Sequence, residues 1–241
     1  MKKILAVFAH PDDEAFGPGG TLAKYAAEGV EIHLLCATRG EMGEWSPAAR
    51  SLRNKEEKIE NVRENELLKS AEIIGIKNVE FLDFIDGQLS NSIYHVLADK
   101  IIEKIKSFKP QIVLTYERLG LSGHLDHIAV SMITTYAFLK TTVALKLYYL
   151  CFLEKWYDES DANYFVYHPK GYKEQEITTR IDFSNYWETK KNAMLQHKSQ
   201  MNDVTKLLAK YDKRPNIDNF ILQDHRLTKL KFPENDLFNG I

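Results

Sequence analysis

Residues 9–14 read Ala-His-Pro-Asp-Asp-Glu and residues 123–127 read Gly-His-Leu-Asp-His, so one chain carries two histidine–carboxylate clusters, each after an apolar run. A divalent metal that activates water needs three protein ligands and one open position. His10, Asp13 and His127 can supply those three. Asp12, beside the metal, is then free to move protons as a general base. Each cluster alone has a plainer reading. Acidic residues near a helix start complement the helix dipole, and a histidine next to Gly123 can be an ordinary loop residue. Two clusters together favour a metal site and hydrolytic chemistry.

The elements that must bring the clusters together can be read from hydrophobic pattern. Residues 3–9 form a nearly continuous apolar run, as in a strand buried on both faces of a parallel sheet. Gly17-Pro18-Gly19-Gly20 opens a helix to about Glu28, stopped by Gly29. Residues 31–38 predict strand two, followed by a Gly- and Glu-rich loop from Arg39 to about Pro47 and a helix from about Asn54 to Ile74. Residues 78–84 predict strand three, with Asp86-Gly87 as a turn. A helix over 92–108 presents Ile93, Val96, Leu97, Ile101 and Ile105 at helical spacing. Residues 111–116 and 146–152 predict strands four and five, with a helix to about Leu139 between them. This alternation implies a Rossmann-like α/β fold, a mainly parallel sheet with helices on both faces. In such sheets ligands sit beyond the carboxyl ends of the strands, where strand order reverses. The usual order sets strand one beside strand four, which brings His10 to His124 and His127.

The remainder bounds the function classes. The 241 residues suit one domain, with a core over about 1–152 and an irregular, aromatic-rich substrate-side region over about 153–241. That region holds Trp156, Tyr157, Tyr164, Phe165, Tyr167, Tyr172, Phe183, Tyr186 and Trp187, with a strand expected over 177–183 and one or two helices over 185–210. Aromatic faces there could stack on sugar rings, although such residues more often pack a core. A net charge of −2 argues against nucleic-acid binding driven by bulk electrostatics. Lys2 and Lys3 precede a run that stops at His10, unlike a secretory leader, and no stretch of about 18 apolar residues suggests membrane insertion. Cys36 and Cys151 lie in different apolar stretches and are expected to be reduced and apart, in a cytoplasmic setting. The glycines after strand one miss the dinucleotide fingerprint, because the third glycine position is Leu22.

The His-Pro-Asp-Asp-Glu and His-x-Asp-His pair resembles the LmbE-like, or PIG-L, family of zinc-dependent N-deacetylases. Gly19-Gly20-Thr21-Leu22-Ala23, Thr38-Arg39-Gly40-Glu41-Met42-Gly43, Arg63-Glu64-Asn65-Glu66-Leu67 and Asp86-Gly87 are similar to further family elements, so the resemblance covers roughly residues 1–135. Lys190 to Gln200, with His197 and Gln200, is similar less specifically. The family usually has proline where this chain has Leu125. The resemblance implies that His127 binds zinc, that His124 stabilises the oxyanion, and that Asp126 orients His124 and favours its charged form. It also implies substrate contacts at Arg63 and Asp86, with Glu41 at the same mouth. Arg63 reads almost as well as a solvated helix charge. Glu14 reads as a helix cap or as a support for a ligand. His33 and His95 read as structural, and His168, His197 and His225 have no role that the sequence resolves.

The leading expectation is a zinc-dependent deacetylase acting on an N-acetylglucosamine-type amino sugar or sugar conjugate, a small-molecule partner. A metal-dependent amidase for another acyl amide, such as a thiol–sugar conjugate, is the nearest alternative. A catalytically idle carbohydrate- or metal-binding protein is a third, which would have no use for Asp12. A His-His-Asp set would also accept iron(II), and a homo-oligomer is left open.

Overall fold

The structure is a computed structural model that describes residues 1–52, 56–159 and 167–241. Asn54, Tyr164 and Phe165 lie outside the described residues. The first half alternates as the apolar pattern requires. β1 (Lys3–Phe8) leads to a single helical turn, α1 (Asp13–Phe16), and to α2 (Gly19–Ala27). β2 (Glu31–Cys36) precedes α3 (Pro47–Leu52) and α4 (Ile59–Ile74), and β3 (Asn78–Phe81) precedes α5 (Tyr94–Phe108). β4 (Ile112–Tyr116) is followed by a turn, α6 (Gly120–Gly123), then α7 (Leu125–Leu139) and β5 (Lys146–Cys151). The rest contributes β6 (Thr179–Asp182), α8 (Trp187–Met194), α9 (Met201–Tyr211) and β7 (Ile217–His225).

The seven strands form one sheet in the order β3-β2-β1-β4-β5-β7-β6. The first five are parallel, and β7 and β6 add antiparallel at one end. β1, β4 and β5 are buried along almost their whole length, which is why they read as continuous apolar runs. Right-handed crossovers explain the layers. Connections running outward from β1 place α2 and α4 together, where α8 joins them, whereas the return to β4 and β5 pairs α5 with α7. Strand order therefore reverses between β1 and β4, and both signature clusters leave the sheet there.

Local details differ from the expectation in a few places. The loop ends at Pro47 as expected, and a short helix not expected from the sequence, α3, follows, because Ser46 Oγ accepts the Ala49 amide at 3.2 Å and Pro47 fills the first helical position. α4 begins at Ile59 rather than near Asn54. In α5 the buried stripe is Leu97, Ala98, Ile101, Ile105 and Phe108, while Ile93 and Val96 are exposed. Strand β7 went unread because Asp218, Asn219, Gln223 and Asp224 interrupt its apolar residues, so it has neither clean alternation nor a long buried run.

Candidate active site

His10, the second residue after β1, and His127, in the first turn of α7, meet at the switch point. His10 Nδ1 lies 3.1 Å from His127 Nε2. Asp13 Oδ1 is 3.4 Å from His127 Nε2, and Asp13 Oδ2 is 3.8 Å from His10 Nδ1. Ligand atoms around a tetrahedral ion with bonds of about 2.0–2.1 Å stand roughly 3.3 Å apart, so the spacing suits a zinc-sized cation. The outer hydrogen bonds fix the ring tautomers. His127 Nδ1 lies 3.0 Å from the Gly120 carbonyl and donates to it, which leaves Nε2 with a lone pair. His10 Nε2 donates to Asp86 Oδ1 at 2.9 Å and Asp126 Oδ2 at 3.2 Å, which turns Nδ1 toward His127 and Asp13. Two ring nitrogens facing each other beside a carboxylate suit a shared cation, whether a proton or a metal ion, and carboxylate-backed histidines are the usual support of metal ligands.

The electrostatics agree. Burial opposes charge on His10, yet its hydrogen bonds to Asp126 and Asp86 and the field of Asp13 push its pKa up to about 10. The surrounding carboxylates thus demand positive charge at this point. Burial lowers the pKa of His127 to about 4, against the pull of Asp13, so its ring is neutral. Burial would raise Asp13, but His127, His10 and the Tyr116 hydroxyl hold it below its usual value. Tyr116 also accepts the Ala9 amide at 2.9 Å and stacks on the His127 ring, with centroids 4.3 Å apart and planes within 2°. Its hydroxyl donates to Asp13 Oδ2.

Asp12 sits beside this set with φ of 115°, a backbone state that costs a non-glycine residue about 1–3 kcal/mol and persists only where its surroundings impose it. Its Oδ2 is 3.0 Å from Arg63 Nη2, so the charge is committed to an ion pair rather than free as the sequence suggested. Burial nevertheless raises the Asp12 pKa to about 7, aided by Asp13 and opposed by Arg63. Arg63 is no solvated helix charge. It is 5% exposed and donates to the Pro11 carbonyl at 2.7 Å and the Gly40 carbonyl at 3.2 Å. Gly40 has φ of 73°, and a Cβ there would strike the guanidinium, so the Gly40 loop must be glycine to wrap it.

The second cluster divides its work differently from the expectation. The Asp126 carboxylate, expected at His124, reaches His10 and accepts the Gly87 amide at 2.7 Å and the Leu89 amide at 3.1 Å. His124 instead caps α7, its Nδ1 accepting the Asp126 amide at 3.2 Å. Burial and the nearby His10 lower its pKa despite Asp126, so the neutral rather than the charged ring is favoured. His10, His124 and His127 also form a group with mutually close ligand atoms, as do His10, Asp86 and Asp126. Leu125 starts α7 with its side chain half exposed, so leucine preserves the helix start where the family usually has proline. Asp86, whose pKa is brought down to about 2 because its His10 and Arg63 contacts outweigh burial, lines the cavity together with Arg63. Glu41 lies behind them, accepting the Asp86 amide at 3.2 Å.

Above the site opens a cavity of about 1140 Å³, whose walls include Trp156, Tyr157 and Tyr172. The expected aromatics thus split: these three line the cavity, whereas Phe183 is core. Sequence reasoning missed Tyr116, Glu117 and His197. Glu117 accepts the Leu119 amide at 2.7 Å and the Leu121 amide at 2.8 Å, shaping the turn that offers Gly120 oxygen to His127. The only sequence signal for Tyr116 and Glu117 was their place between strand four and the second cluster. Cys36 and Cys151 are free, buried and in different strands. Among the described residues no helix is long and apolar enough to cross a membrane.

Residues 5–138 match the PIG-L family of GlcNAc-PI de-N-acetylases. The chain belongs to this family. It is 30% identical to a 1D-myo-inositol 2-acetamido-2-deoxy-alpha-D-glucopyranoside deacetylase of Thermobifida fusca, over 83% of this chain and 84% of that protein. It is 26% identical to a mycothiol S-conjugate amidase of Streptomyces coelicolor, over 99% of this chain and 97% of that protein. Among solved structures, the 4-carboxy-2-hydroxymuconate hydratase of Pseudomonas putida shares the fold, with a TM-score of 0.70, 20% identity, and 96% and 100% of the two chains covered.

Proposed function

We propose that this protein is a metal-dependent hydrolase that removes the N-acetyl group from an N-acetylglucosamine-type amino sugar or sugar conjugate. The observation that carries this is the close approach of His10 Nδ1 and His127 Nε2, 3.1 Å apart beside Asp13, with Asp12 adjacent. We assign His10, Asp13 and His127 as ligands of a zinc ion. A divalent ion held there would polarise the substrate carbonyl and lower the pKa of water. Asp12 takes the proton from the attacking water and returns it to the amine nitrogen as the C–N bond breaks, releasing acetate. Burial and the Asp13 charge raise the pKa of Asp12 and so favour its taking up a proton, against the pull of Arg63. His124, whose Nδ1 accepts a backbone amide, donates through Nε2 to the carbonyl oxygen as charge develops there. Asp126 and Asp86 hold His10 in its ligating tautomer. The whole chain acts as one unit, with the region after residue 152 forming the substrate side. Its two reduced thiols suit a cytoplasmic setting.

The near full-length likeness to a mycothiol S-conjugate amidase favours one second reading, cleavage of a larger acyl amide on a thiol–sugar conjugate. One assay separates the two. Zinc-loaded protein is offered N-acetylglucosamine glycosides, a glucosaminyl-inositol acetamide and their cysteinyl-amide counterparts, and the released acid and amine are counted. Acetate in equal amount to new amine supports deacetylation. A larger acid supports the amidase, and no amide cleavage from any of them overturns both. Metal analysis of anaerobically purified protein decides between zinc and iron(II), which the same ligand set would accept.

A further inference from the structure

His197 lies between α8 and α9, beyond the stretch that matches the family, and is completely buried. Its Nε2 donates to Glu14 Oε1 at 2.8 Å. Glu14, 1% exposed, also accepts the Ser70 hydroxyl, and its Oε2 accepts the Asp12 amide at 3.0 Å. Glu14 is therefore held from behind by two donors and holds the backbone of Asp12 in front. The residue it grips is the one with φ of 115°. Such a conformation lasts only while neighbours over-determine it. Arg63 restrains the carbonyl of Pro11 and the carboxylate of Asp12, which leaves the Asp12 amide to Glu14.

We propose that His197 is a positioning residue for the reaction: by fixing Glu14 it locks the Asp12 backbone in its left-handed conformation and aims the Asp12 carboxylate at the attacking water. This rests on Asp12 being the base. It gives the segment around residue 197 a part in the chemistry, because Ser199 anchors the same segment through its amide and hydroxyl to Glu66 of α4 at 2.8 and 2.7 Å. A merely space-filling histidine would need only its ring, which meets Phe16 edge-on with centroids 5.7 Å apart. A positioning histidine needs its Nε2 donor.

Two variants separate these roles. His197→Phe keeps a ring and loses the donor, and His197→Gln keeps a donor near the Nε2 position. The proposal expects kcat of His197→Phe to fall about 10- to 100-fold on whichever acetamide the wild type cleaves, since small misplacement of a reacting group costs up to roughly that much. KM should stay within about threefold and zinc content should be unchanged, and His197→Gln should recover most of kcat. Crystals of the metal-free proteins give a readout independent of turnover. His197→Phe should lose the Asp12 amide bond to Glu14 or the positive φ of Asp12, and His197→Gln should keep both. Wild-type kcat in His197→Phe with Asp12 unmoved overturns the proposal, as does an equal loss of kcat in both variants. A wild type that releases no acid from any amide sinks the deacetylase reading instead, and the crystals still judge the clamp.

Discussion

Replacing Asp12 with asparagine should remove turnover and spare the metal. The substitution keeps the side-chain shape, and Arg63 retains the Pro11 and Gly40 carbonyls as acceptors, so the local fold has no reason to collapse. None of the three proposed ligand atoms belongs to Asp12. A lost general base costs about 10²–10⁴ in rate, so kcat for acetate release should drop by at least about 100-fold while zinc stoichiometry holds. The pH profile adds a second signature. General-base action by Asp12 gives kcat/KM of the wild type an acid limb that falls tenfold per pH unit, and this limb should vanish in Asp12→Asn. Stability should move the opposite way. The folded pKa lies above the reference value of 3.8, so protonated Asp12 favours the fold at low pH, and that contribution is lost as pH rises through about 7. Metal-free Asp12→Asn should therefore exceed the wild type in Tm by more at pH 8 than at pH 5. Normal turnover in Asp12→Asn would refute the assignment and move the base elsewhere, Glu14 being the carboxylate on this segment that is neither Asp12 nor a proposed ligand.

Three further expectations follow from the same geometry. His127→Ala should lose bound zinc, because its Nε2 is one of the three proposed donors, whereas His124→Ala should keep zinc and lose about 10²-fold in kcat; metal analysis showing the reverse would exchange the two roles. Tyr116→Phe should weaken zinc retention against a chelator, since it removes a donor that keeps Asp13 ionised and oriented, by a factor of about 10–100 typical of groups supporting ligands. Lys146→Met should lower stability by about 3–5 kcal/mol, because Glu234, fully buried and 2.7 Å from Lys146 Nζ, would be left without its cation. The pair lies at the opposite end of β5 from the site, so the folded fraction should keep its kcat, and calorimetry with an assay checks both.

That the two signature clusters would meet was legible, because each follows a strand and those strands adjoin where the order reverses. His10 and Asp13 are three apart, and a strand end followed by a turn presents both. Their supports were not legible, because each is defined by a partner distant in sequence. Asp126 was assigned to His124, its neighbour in the chain, but the sheet sets it against His10, 116 residues away. Arg63 read almost as well as a helix surface charge as it did as a substrate contact, because α4 has little amphipathic contrast, its inward face carrying Arg63, Glu66 and Ser70 as well as Leu67 and Ile74. A polar inward face on a helix cannot be told from a solvated one until its acceptors are known.

The same reasoning explains why the fold could be read to β5 and only sketched beyond it. Strands buried on both faces announce themselves by apolar composition alone. The last third instead joins the sheet antiparallel through β7 and β6, and sends the segment between α8 and α9 back under the site. That segment supplies the partners of carboxylates carried by the first half. Glu14 finds His197, and Glu66 finds the amide and hydroxyl of Ser199. Left without those donors, each buried carboxylate would cost at least about 1–3 kcal/mol. The Rossmann-like half is thus complete as a topology and incomplete as a set of satisfied charges. The region that varies least regularly in sequence pattern is the one that closes the account of hydrogen bonds around Asp12.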